Sequence, residues 1–417
     1  MNSRQRLQKT LNHTRPDRIP LDIGGSPVTG MHVSCVEKLR AYYGLDARPV
    51  KVDEPGQMLG EIDEELKKIL GIDTEYIQPE KTLFGFENTG WKEWRMDSGQ
   101  VVLVPDGFKT TTDAFGNTFL YPCGDLESEP SGHMPKDGYY FDNIVRQRPF
   151  DEDELDPQDN LEEFTQISET TLEYYKTAAE KANKTEKGIL ANFGGTALGD
   201  IALVPAPFLQ SPRGIRDIEE WYVSTAVRQD YIHAVFKQQT QIAIENLSKI
   251  NLAVGDCVDV VYLCGTDFGT QISTFCSEET FINLYMPYYQ LLNNWIHSNT
   301  KWKTFKHSCG AVSDFIPLFI ESGFDILNPV QCSAAGMEPG ALKGKYGRDI
   351  TFWGGGVDTQ KTLPFGTPQE VRQEVLERCS IFSKDGGFVF AAVHNIQHGT
   401  PVKNIVAMVD ALKEFNG

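Results

Sequence analysis

The chain is predicted to be an α/β protein: a (β/α)8 (TIM) barrel with a β-rich insertion after its second strand. Three observations predict it. Eight short apolar, β-branched segments recur along the sequence, most of them ending in glycine or a polar residue. From Gly188 onward, stretches of helical length separate them. One tract, residues 82–150, breaks the rhythm with a high density of Gly, Thr and aromatic residues. Strands alternating with helices imply parallel βαβ units. Eight such strands suggest a closed barrel over an open doubly wound sheet, although periodicity alone leaves the open sheet standing.

The proposed strands are Ile19–Ile23, Asp73–Ile77, Gly188–Phe193, Val258–Leu263, Lys303–Lys306, Phe324–Asn328, Ile350–Trp353 and Phe388–Val393. The proposed helical segments are Pro212–Ile250, Ser277–Asn299, Ala311–Ser322, Gly336–Tyr346 and Pro368–Lys384, with another near Leu161–Ala182 after the acidic loop Asp151–Asp156. Within the insertion, the alternation in Gln100–Val104 and the turns at Asp106-Gly107, Gly116-Asn117 and Asp137-Gly138 predict a β-meander. Its aromatic residues, Phe84, Phe86, Trp94, Tyr140 and Phe141 among them, either wall the barrel mouth or bury a small core of their own. Barrels of this length are routinely one domain, so residues 1–417 read as a single domain with residues 82–150 inserted in it.

A formal net charge of −19 argues against nucleic acid or an anionic membrane as partner. Apolar and charged contents of 40% and 23% describe an ordinary globular protein with ample core. Met1–His13 is polar, and no run approaches the roughly eighteen apolar residues of a membrane helix. The eight cysteines have no framework spacing and read as reduced thiols, one or two of them available to a metal. A cytoplasmic address is expected.

The most informative motif is His307-Ser308-Cys309, which ends the fifth proposed strand. Side chains at i and i+2 of a strand share a face, so imidazole and thiolate can converge on one ion. Zinc accepts mixed N/S ligation, and catalytic zinc keeps one position open. A lone His-x-Cys is weak evidence, but it falls at the rim where barrels of this type carry their active sites. The other strand ends contribute Asp22, Cys264, Asp267, Asn328, Gln331, Asp358, His394, Asn395 and Gln397, and no lysine or arginine. His394 is the natural third metal ligand; the alternative is a histidine simply hydrogen-bonded near the rim. Asp267, Asn328 and Gln331 are candidate catalytic or supporting groups, with Asp22 and Asp358 behind them. Cys264 and Asp267 are candidates for a fourth ligand or a supporting role, whereas Cys332 reads as a small buried thiol. Gly354-Gly355-Gly356 lacks the Lys-Ser/Thr of a phosphate loop and reads as close approach to a ligand or a tight turn.

These residues resemble the uroporphyrinogen decarboxylase superfamily. The likeness runs from Arg4–Leu11 and Pro16-Asp17-Arg18-Ile19-Pro20, through Asp267–Gln271 and His307-Ser308-Cys309-Gly310, to Trp353–Asp358 and Thr400–Ile405. It implies a (β/α)8 barrel. True decarboxylases of that family carry an Arg-Gln-Ala-Gly-Arg segment after the first strand to grip tetrapyrrole carboxylates. Here the place reads Leu21-Asp22-Ile23-Gly24-Gly25-Ser26-Pro27, with no arginine.

The resemblance is to the other branch, the zinc-dependent corrinoid-linked methyltransferases, whose ligands are His-x-Cys and a distant Cys before Thr-Pro. His394, six residues before Thr400-Pro401, stands in place of that Cys. Fewer thiolates leave a more electrophilic zinc, suited to an oxygen rather than a thiol. The expected function is therefore transfer of a methyl group from a small methylated substrate, a methoxylated aromatic ether, to the cobalt of a corrinoid protein. That is the task of the first methyltransferase component of O-demethylase systems. With no Asp-x-His-x-x-Gly motif in the chain, the corrinoid is expected on a partner protein. The competing readings are a thiol methyltransferase receiving methyl from a corrinoid protein, a decarboxylase of a small acid, and a binding barrel without catalysis.

Overall fold

The computed structural model describes residues 1–417. Seven parallel strands form one sheet in the order Phe388–Val389, Thr351–Trp353, Ile326–Asn328, Lys303–His307, Val260–Cys264, Gly188–Ala191, Thr74–Ile77. Each corresponds to one of the proposed segments. The first proposed segment, Ile19–Ile23, fills the remaining place as a single bridge rather than a strand. Leu21 pairs in parallel with Phe390, and on its other side its carbonyl accepts the Asp73 N–H at 2.8 Å. Pro20 has no N–H for a longer ladder, and Gly24, at φ +82°, turns the chain away. The ring thus closes with one short stave.

Strand alternation sorts the ring's interior from its exterior. Leu190, Val260, Tyr262, Phe305, Ile326, Trp353 and Val389 form an inner cluster separate from the larger core between strands and helices. Leu7 and Leu11 of the Ser3–Leu11 helix join it and plug the end opposite the rim. Phe305 therefore faces the interior, and two residues on so does His307. Lys306, between them, points outward into the helical layer, where its ammonium lies 4.9 Å from the Phe268 ring centroid.

The outer helices follow the proposed segments, with informative breaks. Pro212–Ile250 resolves into Ile218–Val227 and Gln229–Val254, interrupted at Arg228. Ser277–Asn299 contains a π-helical turn at Phe281–Tyr285 just before Pro287, which cannot supply an N–H to a regular ladder. The C-terminal helix Val402–Asn416 packs on Pro368–Phe382.

The tract at residues 82–150 holds two small sheets. One is an antiparallel meander of Thr110–Thr112, Thr118–Leu120, Gly132–Met134 and Asp142–Asn143. The other joins Lys92–Arg95 and Val101–Val104 to Val50–Glu54 and Leu59–Gly60, which precede the Thr74–Ile77 strand in the chain. Most of the tract's aromatics bury one another, as in the Phe84–Phe141, Phe86–Phe108 and Trp94–Phe108 contacts. Tyr139 stacks on His398 with ring centroids 3.4 Å apart, which ties the tract to the loop after the last strand.

Closure rests on Asp73. Its fully buried carboxylate accepts from Arg6 at 2.7 Å, from both guanidinium nitrogens of Arg18 at 2.8 Å, from Ser3 Oγ at 2.6 Å and from the Leu21 N–H at 2.9 Å. Removing one partner of a buried pair leaves the other charge uncompensated. Asp73→Ala is expected to cost about 3–5 kcal/mol, read as a lower urea midpoint, whereas Asp17→Ala, at the half-exposed end of the same cluster, costs far less.

Candidate functional site

The period-2 strand and its continuation place His307 and Cys309 on one side of the rim. Cys309 Sγ lies 3.4 Å from His307 Nε2. His394, just past the last strand, brings its ring within 5.4 Å of that of His307. One donor atom from each of the three falls within 4.8 Å of the others. Donors held 2.0–2.3 Å from zinc stand about 3.3–3.8 Å apart, so this set fits a zinc-sized ion after a modest closing movement.

The orientation of the histidine is set from behind. His307 Nδ1 donates to Asn328 Oδ1 at 2.6 Å, and Asn328 Nδ2 donates to the Trp353 carbonyl at 2.8 Å. The second bond fixes which end of the amide accepts, and so leaves Nε2 with its lone pair toward Cys309. Asp267 Oδ1 accepts the Cys309 N–H at 2.7 Å and lies 3.9 Å from His307 Nε2. Gln331 Oε1 accepts the Gly310 N–H at 2.8 Å, while its amide donates to Gln271. Asp267, Asn328 and Gln331 thus hold the loop and ring that carry the donors. Lys306 Nζ donates to the His307 carbonyl at 2.8 Å from outside the barrel.

Burial dominates the electrostatics. It lowers His307 and His394 to about 4, so both imidazoles are neutral at physiological pH. The Cys309 thiol is pushed well above its usual range, first by burial and then by Asp267. Asp267 itself is raised by burial. Two neutral imidazoles and a thiol that burial keeps protonated are suited to a cation that displaces the thiol proton.

Other rim residues have structural partners. Asp22 cross-links three staves, accepting from Thr74 Oγ1 at 2.7 Å, Trp353 Nε1 at 2.7 Å and the Gly25 N–H at 2.8 Å. Asp358 caps a turn through the Gln360 and Lys361 N–H groups. Asn395 holds the loop after the first stave through Gly30 and Pro27, and Gln397 reaches Gln57. Cys332 bonds the Val330 carbonyl, and Cys264 is buried away from the three donors, near Lys306. Gly356 has no room for a side chain: a Cβ there would meet the Phe390 ring at 2.4 Å. The triple glycine is a tight strand-to-helix turn.

A cavity of about 700 Å³ opens over the staves at Leu21, Thr74–Ile77, Gly188–Ala191 and Val260–Cys264. The three donors belong to the other half of the ring and do not line it. Asp200 and Tyr262 connect the two regions: both line the cavity, and a Cβ on Gly265 would meet each at 2.5 Å, two residues before Asp267. Burial raises Asp200 to about 6 and Asp53, also in the cavity wall, to about 7. Sequence reasoning missed both. Asp200 sits within a long loop rather than just after a strand; Asp53 had a signal in the Val50-Lys51-Val52-Asp53 alternation.

A closed barrel with three convergent His and Cys donors on its rim defines the class: an α/β barrel protein whose rim could hold a metal ion. The family follows from the sequence, since residues 140–415 match the model described as Uroporphyrinogen decarboxylase (URO-D). The chain belongs to that family. A methyltransferase from Methanosarcina mazei shares the fold over the whole of both chains, with a TM-score of 0.56 at 14% identity. D-psicose 3-epimerase aligns with 58% of this chain and 81% of its own at a TM-score of 0.31 and 9% identity. A GH113 β-1,4-mannanase covers 58% and 79% at a TM-score of 0.27 and 10% identity. A search of curated proteins returns no match. No helix is long and apolar enough to cross a membrane.

Two outcomes are expected. Zinc affinity, measured by competition with a chromophoric chelator, rises about tenfold per pH unit between pH 6 and 8, because one thiol proton leaves on binding while both imidazoles are already neutral. Cys309→Ala flattens that slope. Asn328→Ala keeps all three donors yet lowers affinity about ten- to a hundredfold, because the ring of His307 loses its orientation.

Proposed function

We propose that the protein is a zinc-dependent methyltransferase. It moves a methyl group from a small methylated substrate, a methoxylated aromatic ether, to the cobalt of a corrinoid carried by a partner protein. The observation that carries this reading is the convergence of one thiol and two imidazoles at the rim. Zinc in such a set supplies Lewis acidity toward an oxygen, because a single thiolate donates less charge than two or three.

The chain's own residues prepare that chemistry. Asn328 presents Nε2 of His307, Asp267 and Gln331 anchor the backbone at Cys309 and Gly310, and Lys306 holds the His307 carbonyl from behind. The cavity beside the donors has aromatic walls at Tyr140, Phe141, Phe164 and Trp221, suited to a planar substrate. Similarity in fold to the Methanosarcina mazei methyltransferase supports methyl transfer. Decarboxylation of a polycarboxylate fits less well, since the wall carries Asp53, Glu54 and Asp200 and its Arg216 is already gripped by Glu163.

Protein purified without chelator is expected to hold about one zinc per chain, lost in His307→Ala, Cys309→Ala and His394→Ala. With cobalt(I) corrinoid and an aryl methyl ether, the zinc-loaded protein should give the absorbance of methylcobalt corrinoid, and the three variants should not. A metal-free, folded wild type, or zinc found coordinated by the sulfur of a thiol substrate, would reverse the assignment.

A further inference from the structure

The cavity combines aromatic faces with carboxylates that no protein cation answers. Asp53 lines it, yet its carboxylate has no hydrogen-bond donor and no ion pair; only its backbone carbonyl is engaged, by Asn88 Nδ2 at 2.9 Å. The lysines nearest to it are committed elsewhere, Lys51 to Glu61 at 3.6 Å and Lys67 to Glu75 at 2.6 Å. Glu54, its neighbour in the strand, also lines the cavity and is satisfied by the N–H groups of Gly56 and Gln57. Of the two cations in the wall, Arg216 is held by both oxygens of Glu163 and Lys81 is exposed.

A second observation points to a ligand. Three wall residues carry buried polar atoms without a partner: Thr82 Oγ1, Asn88 Oδ1 and the indole N–H of Trp221, a residue only 3% exposed. The orientation of Asn88 is fixed by its amide bond to Asp53, so the free atom is an acceptor. Buried acceptors left unmade are costly. Two such acceptors in the same wall as an unanswered carboxylate suit a donor-rich cation, and aromatic walls favour a cation further. The free Trp221 N–H, beside Gly199 and one residue from Asp200 in the same wall, suits an acceptor atom elsewhere on the same ligand.

We propose that this cavity binds a methoxylated aromatic that carries a protonated amine, with the ammonium at Asp53, Asn88 and Thr82, and that it rejects methoxylated aromatic acids. The inference rests on the methyl-ether reading and narrows its substrate class. A carboxylate of the same size would meet Asp53, Glu54 and Asp200 among the acidic wall residues and no free buried cation.

The test is a matched set of ligands: 4-methoxyphenethylamine, 4-methoxyphenylacetate and neutral 4-methylanisole. Binding is measured by calorimetry and by tryptophan fluorescence on wild type and Asp53→Asn. The amine is expected to bind at least about tenfold tighter than the acid, and Asp53→Asn to weaken the amine about ten- to a hundredfold. Unchanged binding of 4-methylanisole shows that the variant keeps its cavity. An acid that binds as tightly as the amine in wild type overturns the proposal. So does an Asp53→Asn protein that binds 4-methylanisole normally and the amine undiminished. These measurements need neither zinc nor corrinoid, so a zinc-loaded enzyme that binds the amine and transfers no methyl counts against the methyl-ether reading alone.

Discussion

The buried carboxylate of Asp73 is the constraint on which the barrel depends. Between the Thr74–Ile77 and Phe388–Val389 strands the ring has no full strand, only Leu21, bridged to Phe390 and bonded to the Asp73 N–H. One bridge supplies little of the pairing that holds ordinary strands together. Asp73 compensates by drawing the Ser3–Leu11 helix, Arg18 and the Leu21 backbone onto one point. A charge so deeply buried is stable only while its partners stay in place. The donors depend on this indirectly, because His307 and His394 lie on staves that are not neighbours and face one another only across a closed ring.

Within that ring, register decides chemistry. In the Lys303–His307 strand, Phe305 and His307 face inward, and Lys306 packs beneath Phe268, Tyr289 and Phe319. A slip of one residue would exchange imidazole for ammonium at the rim and bury a histidine among the helices. The outward lysine helps prevent that slip, since its ammonium has carbonyl acceptors at Thr266 and His307 and aromatic faces around it only in the observed register. Asn328, at the equivalent inward position of the next strand, pairs with His307 in the same register. The orientation of His307 Nε2 is thus a consequence of strand pairing.

Much of this was legible in the sequence, and the part that was not has a physical reason. Buried parallel strands read as continuous apolar runs, so seven staves appear within a few residues of their proposed limits. Ile19–Ile23 was legible as a position in the ring, but Pro20 and the glycines after it reduce it to one bridge. His307, Cys309 and His394 were legible because strand ends converge at one rim in this fold, which needs only chain order. The cavity was not, because its wall is drawn from Val50–Glu54, the loop around Asp200 and the tract at residues 82–150. Those segments are brought together by sheet pairing across long sequence distances, such as Val50 with Val102. The aromatics of that tract were visible as a group, but only packing separates Phe84 and Phe108, which pack behind Phe141, from Tyr140 and Phe141, which reach the cavity.

Charge links the two halves of the rim. Asp267 raises Asp200, and both raise Cys309, so acidic groups accumulate between the donors and the cavity. The proposed metal and the proposed cationic ligand would each bring positive charge to one side of that group. The family is named for decarboxylation of a polyanion, a task that calls for arginines where this chain has Asp22, Gly24 and Gly25. Here Asp22 is spent on cross-linking staves, and the cavity wall carries Asp53, Glu54 and Asp200. The barrel is shared with the family, while the cavity wall of this chain is acidic. Function on such a scaffold follows the groups at the rim rather than the fold that carries them.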